Sequence, residues 1–303
     1  MPPKRILKPV HGVLLLDKPE GLTSNDALQK ARRLFSAARA GHTGTLDPMA
    51  TGLLPLCFGE ATKFSADLLE ADKTYEATLC LGRTTETGDR EGRVIATAPV
   101  RCDRAAITAA LPGFLGTIAQ VPPMYSALKH NGRPLYQLAR QGQEVERPPR
   151  PVTIHALQFL DWQAPELTLR IRCGKGTYIR VLAEDIGKAL GCGAHLTRLR
   201  RTEVGNLGLA EAHTLSELEA LDEACRLALL AAVDCLISTL PVVCLDEAGA
   251  RRFCHGNPVP SPSALRKGKA RVYARTDAQP RLLGVGIVKA DQQLWPERLV
   301  ALD

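Results

Sequence analysis

The sequence predicts an α+β fold: a mixed, mainly antiparallel sheet with flanking helices, followed by a small β-rich module. Three observations carry this reading. Segments with the two-residue period of strands and segments with helical spacing share one chain. They do not alternate regularly, which argues against a parallel doubly wound sheet. Beyond residue 246 the segments become short, strand-like and punctuated by Pro and Gly. A chain of 303 residues, 45% apolar and 23% charged, has the composition of an ordinary globular protein and the length for two domains.

The elements follow in order. Gly12 to Leu16 is a short apolar strand that stops at Asp17-Lys18-Pro19. Thr23-Ser24-Asn25-Asp26 has the hydroxyls and carboxylate of a helix start. Ala27, Leu28, Ala31, Leu34 and Phe35 follow at helical spacing. A loop rich in Gly, Thr and Pro is expected from Gly41 to Pro55, then a helix from Glu60 to Glu70. Tyr75, Ala77, Leu79 and Leu81 alternate with polar residues as a strand does. Arg83 to Gly92 is polar and turn-forming. A short helix over Asp103 to Leu111 and a strand over Phe114 to Val121 come next. Pro122 to Pro151 has five Lys or Arg against two Glu and reads as a basic loop, with a short helix near Leu135 to Arg140.

Val152 to Leu160 and Leu167 to Cys173 are strands, and Thr177 to Leu190 is an amphipathic helix with Ile179, Leu182, Ala183 and Ile186 inward. Helices near Leu215 to Leu221 and Asp222 to Cys235 close the first domain, set at 1–245. The second, 246–303, holds strands over Ala270 to Ala274, Leu282 to Val288 and Gln293 to Ala301. From Glu247 onward there are ten Lys or Arg and five acids.

Several classes are excluded. The longest unbroken apolar run, Leu227 to Val233, is far short of the roughly 20 residues of a membrane helix. No apolar run of signal-peptide type follows Met1, and nine scattered cysteines without a Cys-x-x-Cys fit a reducing compartment, so a cytoplasmic protein is expected. Cys192 and His195 have Cys-x-x-His spacing, but no second ligand pair completes a zinc site. Gly174-Lys175-Gly176-Thr177 resembles the end of a phosphate loop, yet Gly176 replaces the hydroxyl and Leu169 the first glycine. No Gly-x-Ser-x-Gly elbow occurs. The net charge of +7 favours a polyanionic partner, although mildly basic proteins are common.

Four stretches could carry chemistry. In Gly41-His42-Thr43-Gly44-Thr45-Leu46-Asp47-Pro48, Pro48 restricts Asp47 to extended backbone, so its carboxylate sits on a stiff loop; an Asx turn that caps local N–H groups is the plainer alternative. Tyr75 is one of only thirteen aromatic residues. It either packs in the core or offers a face on which a nucleobase stacks. Arg180 lies at a helix start, where the dipole disfavours a cation; it is a surface residue or pairs with an anion. Arg198, Arg200 and Arg201 form a phosphate-binding rim or a solvated charged edge.

Together these stretches resemble one family, the bacterial TruB-type tRNA pseudouridine synthases. The matching segments are GVLLLDKPEGLTSNDALQKARR, AGHTGTLDPMATGLLPLCFGEATKF, DKTYEATLCLG, QVPPMYSALKHNGRPLYQLAR, GKGTYIRVLAEDIG and AHLTRLRRT, in order over 12 to 202. RLLGVGIVKADQQLWPERLV resembles the end of a PUA-like RNA-binding barrel. The resemblance implies an isomerase without cofactor or metal that converts uridine 55 of the tRNA T loop to pseudouridine by base flipping. It implies that Asp47 is catalytic and either attacks the ribose C1′ or removes the C2′ proton. Tyr75 would stack on the base, and Arg180 would pair with Asp47, its planar fork holding the carboxylate. Tyr178 and Leu199 would line the uridine pocket, and His42 would fill the space left by the flipped nucleotide. The implied partner is tRNA, held at its T stem-loop and, through the C-terminal module, toward the acceptor end. No membrane and no obligate protein partner are implied, and the chain is expected to act as a monomer. Two rivals remain: a non-catalytic RNA-binding or tRNA-folding protein, and a guided synthase acting on other RNAs, a branch with terminal extensions.

Overall fold

The alternating segments pair into one sheet. In Glu166–Cys173, Leu167, Leu169, Ile171 and Cys173 are buried while Arg170 and Arg172 face out. Lys73–Leu81 buries Ala77, Leu79 and Leu81 on the same side. The computed structural model describes residues 6–262, 265–276 and 279–302. The nine-stranded sheet runs, from one edge to the other, Gly12–Lys18, Thr51–Phe58, Ala194–Val204, Lys73–Leu81, Glu166–Cys173, Arg150–Gln163 and Gly116–Gln120, with two short strands off this path. Every neighbouring pair on the path is antiparallel except Thr51–Phe58 with Ala194–Val204, which meet in parallel at Arg200↔Thr51 and Arg201↔Gly52. Gly52 is required there. Its φ is +100°, and a Cβ would stand 2.2 Å from the Arg201 carbonyl oxygen.

Two helices on the buried face position the site. Ser24–Leu34 begins with a capping box, in which Thr23 and Asp26 exchange side-chain and backbone hydrogen bonds. Ile179–Ala189 buries Ile179, Leu182, Ala183 and Ile186 as its spacing predicts, and Arg180 with them.

Four local expectations change. The loop from Gly41 to Pro55 is shorter than its composition suggests: Ala40–His42 and Thr51–Phe58 are paired strands, because Leu53, Leu54 and Leu56 are buried in the sheet despite Gly52 and Pro55. Glu60 to Glu70 is not one helix but a 3-10 segment, Gly59–Phe64, and one α-turn, Ser65–Leu69. Helix Glu223–Ala228 is also short, since the chain then extends and Ala231 exchanges both backbone hydrogen bonds with Val13. The arginine-rich stretch is no rim: Ala194–Val204 is a strand beside the middle of the sheet.

The C-terminal strands Gly268–Ala274, Arg281–Val288 and Gln293–Leu299 form an antiparallel meander. Val242–Leu245 joins it in parallel and Val259–Pro260 closes the other edge, giving a curled five-stranded half-barrel. Helix Glu247–Cys254, capped by Asp246, places Phe253 in a separate core with Val243, Val272 and Leu294. Leu282 and Val285 point the other way. They pack with Val13, Leu15 and Phe64 of the large sheet and its connections, each buried aliphatic contributing roughly 1.5–3 kcal/mol. Among the described residues, no helix is long and apolar enough to cross a membrane.

Candidate active site

The loop between His42 and Thr51 is pinned from three sides. From the helix start, the Ser24 hydroxyl accepts from the Leu46 N–H at 2.8 Å and donates to the Leu46 carbonyl at 3.1 Å, so this hydroxyl binds the loop rather than the helix end. From the edge strand, Lys18 Nζ donates to the carbonyls of Pro19 (2.8 Å), Leu22 (2.7 Å) and Pro48 (3.4 Å). From the sheet, Arg201 donates through Nε to the Leu53 carbonyl at 2.7 Å and through Nη2 to that of Gly44 at 3.2 Å. Leu46, Met49 and Ala50 are buried on either side of Asp47. The stiff loop expected from Pro48 is therefore present, and its stiffness is tertiary.

The Asp47 carboxylate takes no local N–H among the described residues, so the Asx-turn alternative falls. It meets Arg180 instead, Nε to Oδ2 at 3.0 Å. Arg180 is buried at the first turn of its helix. Nη1 donates to the Thr87 carbonyl at 2.9 Å and Nη2 to the Tyr125 carbonyl at 2.7 Å. Nη1 also stands 3.6 Å from Asp89 Oδ2, a carboxylate whose side chain is 5% exposed. The expected two-point grip of the guanidinium fork on Asp47 is not what forms. The fork tips hold two carbonyls, and one edge nitrogen holds the carboxylate.

A cleft of about 540 Å³ opens over this pair, and His42, Asp47, Asp89, Tyr125, Ser126 and Arg180 lie in its wall. Tyr136 and Arg140, from the basic 122–151 segment, complete the far side. His42 ends its strand with Nδ1 buried and unpartnered among the described residues. Tyr75, Tyr178 and Leu199 are not in the wall. Tyr75 is half-buried on the central strand, opposite Ile171 and Arg201. Leu199 is buried in the main core. Tyr178 caps the helix that carries Arg180, its backbone bound to Gln120. The structure thus brings His42, Asp47 and Arg180 to one cavity and leaves the other three out of its wall.

The electrostatics follow from burial. Desolvation pushes the Asp47 carboxyl up from the ordinary aspartate value, Asp89 adds to that, and Arg180 and Lys18 pull it back. Burial brings the Lys18 ammonium down to about 8, against the pull of Asp47 and Glu20. Burial also lowers His42, with Arg201 adding to the effect, which favours a neutral ring. Tyr75 and Tyr178 are both raised by burial and stay phenols at neutral pH. A half-buried carboxylate held by a buried arginine in an open cleft can serve as nucleophile or base toward a group placed above it. Among the described residues no group of three or more His, Cys, Asp or Glu is arranged to hold a metal ion.

Sequence reasoning missed Asp89, Lys18, Tyr125 and Arg201 as parts of this site. Asp89 lies in a polar turn without periodicity, and Lys18 stands in a Lys-Pro pair that reads as a strand end.

The α+β sheet, the C-terminal half-barrel and the Asp–Arg pair agree with what the sequence resemblance implies, and comparison with known proteins tests that resemblance. The profile of the TruB family pseudouridylate synthase N-terminal domain matches residues 32–179, that of the tRNA pseudouridylate synthase B C-terminal domain matches 180–237, and that of the pseudouridine synthase II TruB C-terminal domain matches 241–300. The tRNA pseudouridine synthase B of Dechloromonas aromatica (strain RCB) is 64% identical over 99% of this chain and 98% of its own. That of Burkholderia lata is 61% identical over 98% of this chain and 92% of its own. A solved Cbf5-Nop10-Gar1 complex matches with a TM-score of 0.69 and 26% identity, over 94% of this chain and 83% of that one. The chain belongs to the TruB family of pseudouridine synthases.

Proposed function

We propose that this protein isomerises uridine to pseudouridine in tRNA, at position 55 of the T loop. The observation that carries the reading is the ion pair of Asp47 with a buried Arg180 at the floor of an open cleft. Polyanion binding alone gives no reason to hold a carboxylate there. The reaction breaks the N1–C1′ bond, rotates the base and forms C5–C1′. The C5 proton leaves and N1 gains one, so no atom is added and no cofactor is needed. Asp47 begins the reaction at C1′ or at the C2′ proton. Arg180 keeps it ionised and aimed. Tyr75 stacks on the base, Tyr178 and Leu199 shape its pocket from below, and His42 occupies the place the nucleotide leaves. These roles require the cleft to open toward Tyr75, Tyr178 and Leu199 when RNA enters, since His42 already lies in its wall.

The high identity to proteins named tRNA pseudouridine synthase B supports tRNA over a guided substrate. We assign the catalytic domain to residues up to about 240 and the C-terminal RNA-binding module to the rest, since Val242–Leu245 is part of the half-barrel sheet. In this reading the module extends the footprint toward the acceptor end, and one chain acts alone in the cytoplasm. The test is tritium release from C5 of labelled uridine in an unmodified tRNA transcript. Release of one equivalent per tRNA is the expected result. Tight binding with no release would leave the non-catalytic RNA-binding reading in its place.

A further inference from the structure

Gln120 ends the Gly116–Gln120 edge strand and is 2% exposed. Its side-chain amide meets both polar groups of a single residue. The Tyr178 N–H donates to Oε1 at 3.0 Å, and Nε2 donates to the Tyr178 carbonyl at 3.4 Å. Tyr178 is the N-cap of the Ile179–Ala189 helix, and its own side chain makes no capping hydrogen bond. Arg180 follows two residues later.

Gln120 has a second connection. In the sheet it pairs with Arg150. The chain leaves the sheet at Gln120 and returns at Arg150, so this pair closes the base of the 121–149 segment. That segment sends Tyr125, Ser126, Tyr136 and Arg140 into the cleft wall, and the Tyr125 carbonyl accepts from Arg180. One buried amide therefore joins the base of the segment to the helix start that carries the arginine. Burying an amide is unfavourable unless its donor and acceptor are both paired. An apolar residue would fill the same space without fixing a direction.

We propose that Gln120 is a positioning residue for the isomerisation: it locks the helix start against the base of the 121–149 segment, so that Arg180 reaches Asp47 and the Tyr125 carbonyl together. The inference rests on the isomerase reading above, because its first readout is turnover. A second readout is the acid limb of the rate. Asp47 faces Arg180 from the helix, Asp89 from the 83–92 turn and Lys18 from the edge strand, and its charge also acts on Glu91, Tyr75 and Tyr178. Arg180 favours the ionised carboxylate, so an arginine drawn away from Asp47 lets its pKa rise.

The experiment compares the full-length parent with Gln120→Met, which keeps size and removes both hydrogen bonds, and Gln120→Glu, which keeps the acceptor for the Tyr178 N–H. Single-turnover rates with saturating tRNA transcript are measured across pH, beside tRNA affinity and circular dichroism. The expected result for Gln120→Met is a rate lower by about tenfold or more, affinity within about threefold of the parent, and an acid limb at higher pH. Gln120→Glu should fall between the two. Parent-like rates in Gln120→Met overturn the proposal, and so does a lower rate with an unmoved acid limb, which is what loss of packing alone would give. If Gln120→Met does not fold, Gln120→Glu decides by the same two readouts against the parent. A parent without turnover overturns the isomerase reading and this proposal with it; an active parent with unaltered variants overturns this proposal alone.

Discussion

Arg180 holds Asp47 through Nε alone, at 3.0 Å, while its two terminal nitrogens hold the Thr87 and Tyr125 carbonyls. The guanidinium is therefore a junction between the Asp47 loop, the 83–92 turn and the 121–149 segment. A lysine ammonium also has three donors, but all three radiate from one atom, so it cannot span partners that the planar guanidinium reaches from three separate nitrogens. Arg180→Lys is expected to lower single-turnover rate by about a hundredfold or more, since buried carbonyls lose partners worth roughly 1–3 kcal/mol each, with tRNA affinity little altered. Parent-like turnover at saturating tRNA would show the junction to be dispensable.

The acid limb of the reaction should lie above the ordinary aspartate range, because burial and Asp89 both raise Asp47. In the proposed role only the ionised form is competent, so the rate should fall as pH drops through that raised value. Asp89→Asn removes a negative charge that disfavours ionisation, and the limb is expected to move to lower pH. A pH profile of single-turnover rates checks the sign; a limb that stays or moves upward contradicts it.

Lys18 ties the Asp47–Pro48 loop to the edge strand through three carbonyls. Lys18→Met is expected to cost about 1–3 kcal/mol of stability and at least tenfold in turnover. The stability difference should depend on pH in one window. Lys18 titrates at about 8 in the fold and at its usual 10.5 when unfolded. Between those values the unfolded chain keeps a proton that the folded chain has released, so the parent gains stability as pH rises. The variant lacks this gain, and urea melts at either end of the window should show the gap widening.

In the C-terminal module, Arg271 is held by Asp234, and Arg298 and Lys269 by Asp67. These cations fasten the module to the large domain. Arg266, Lys267, Arg275 and Arg281 are exposed. Changing these four to Gln is expected to weaken full-length tRNA binding and flatten its salt dependence by about one unit per lost phosphate contact. A T-arm hairpin should be affected less. Equal losses for hairpin and full tRNA, measured by salt titration, would count against a footprint beyond the T arm.

The central strands and the two site helices were legible because period and caps agree with burial there: Leu167, Leu169 and Ile171 alternate, and Thr23 with Asp26 marks a helix start. Ala194–Val204 was not. Register shifts between Leu196 and Arg198 and between Arg201 and Glu203 break its alternation, so three arginines in four positions look like an exposed edge. They have three separate fates: Arg198 pairs with Glu166, Arg200 with Asp17, and Arg201, 1% exposed, braces the Asp47 loop. The Asp47–Arg180 pairing was legible only through family resemblance, since the two lie far apart in sequence. Its route through Asp89, Thr87 and Tyr125 depends on tertiary contacts that no local pattern encodes. The C-terminal module likewise reads as separable, yet Leu282 and Val285 fill the core beneath Val13 and Leu15. Removing it would uncover that core.

The most direct test maps pseudouridine at nucleotide resolution in an unmodified tRNA transcript after incubation with the parent or with Asp47→Asn. The substitution keeps size and removes the charge. The account predicts complete conversion of uridine 55 by the parent and none by the variant, with tRNA affinity within several-fold. Conversion by Asp47→Asn at even about a tenth of the parent rate would contradict the role given to this carboxylate, and modification elsewhere, with uridine 55 untouched, would contradict the substrate.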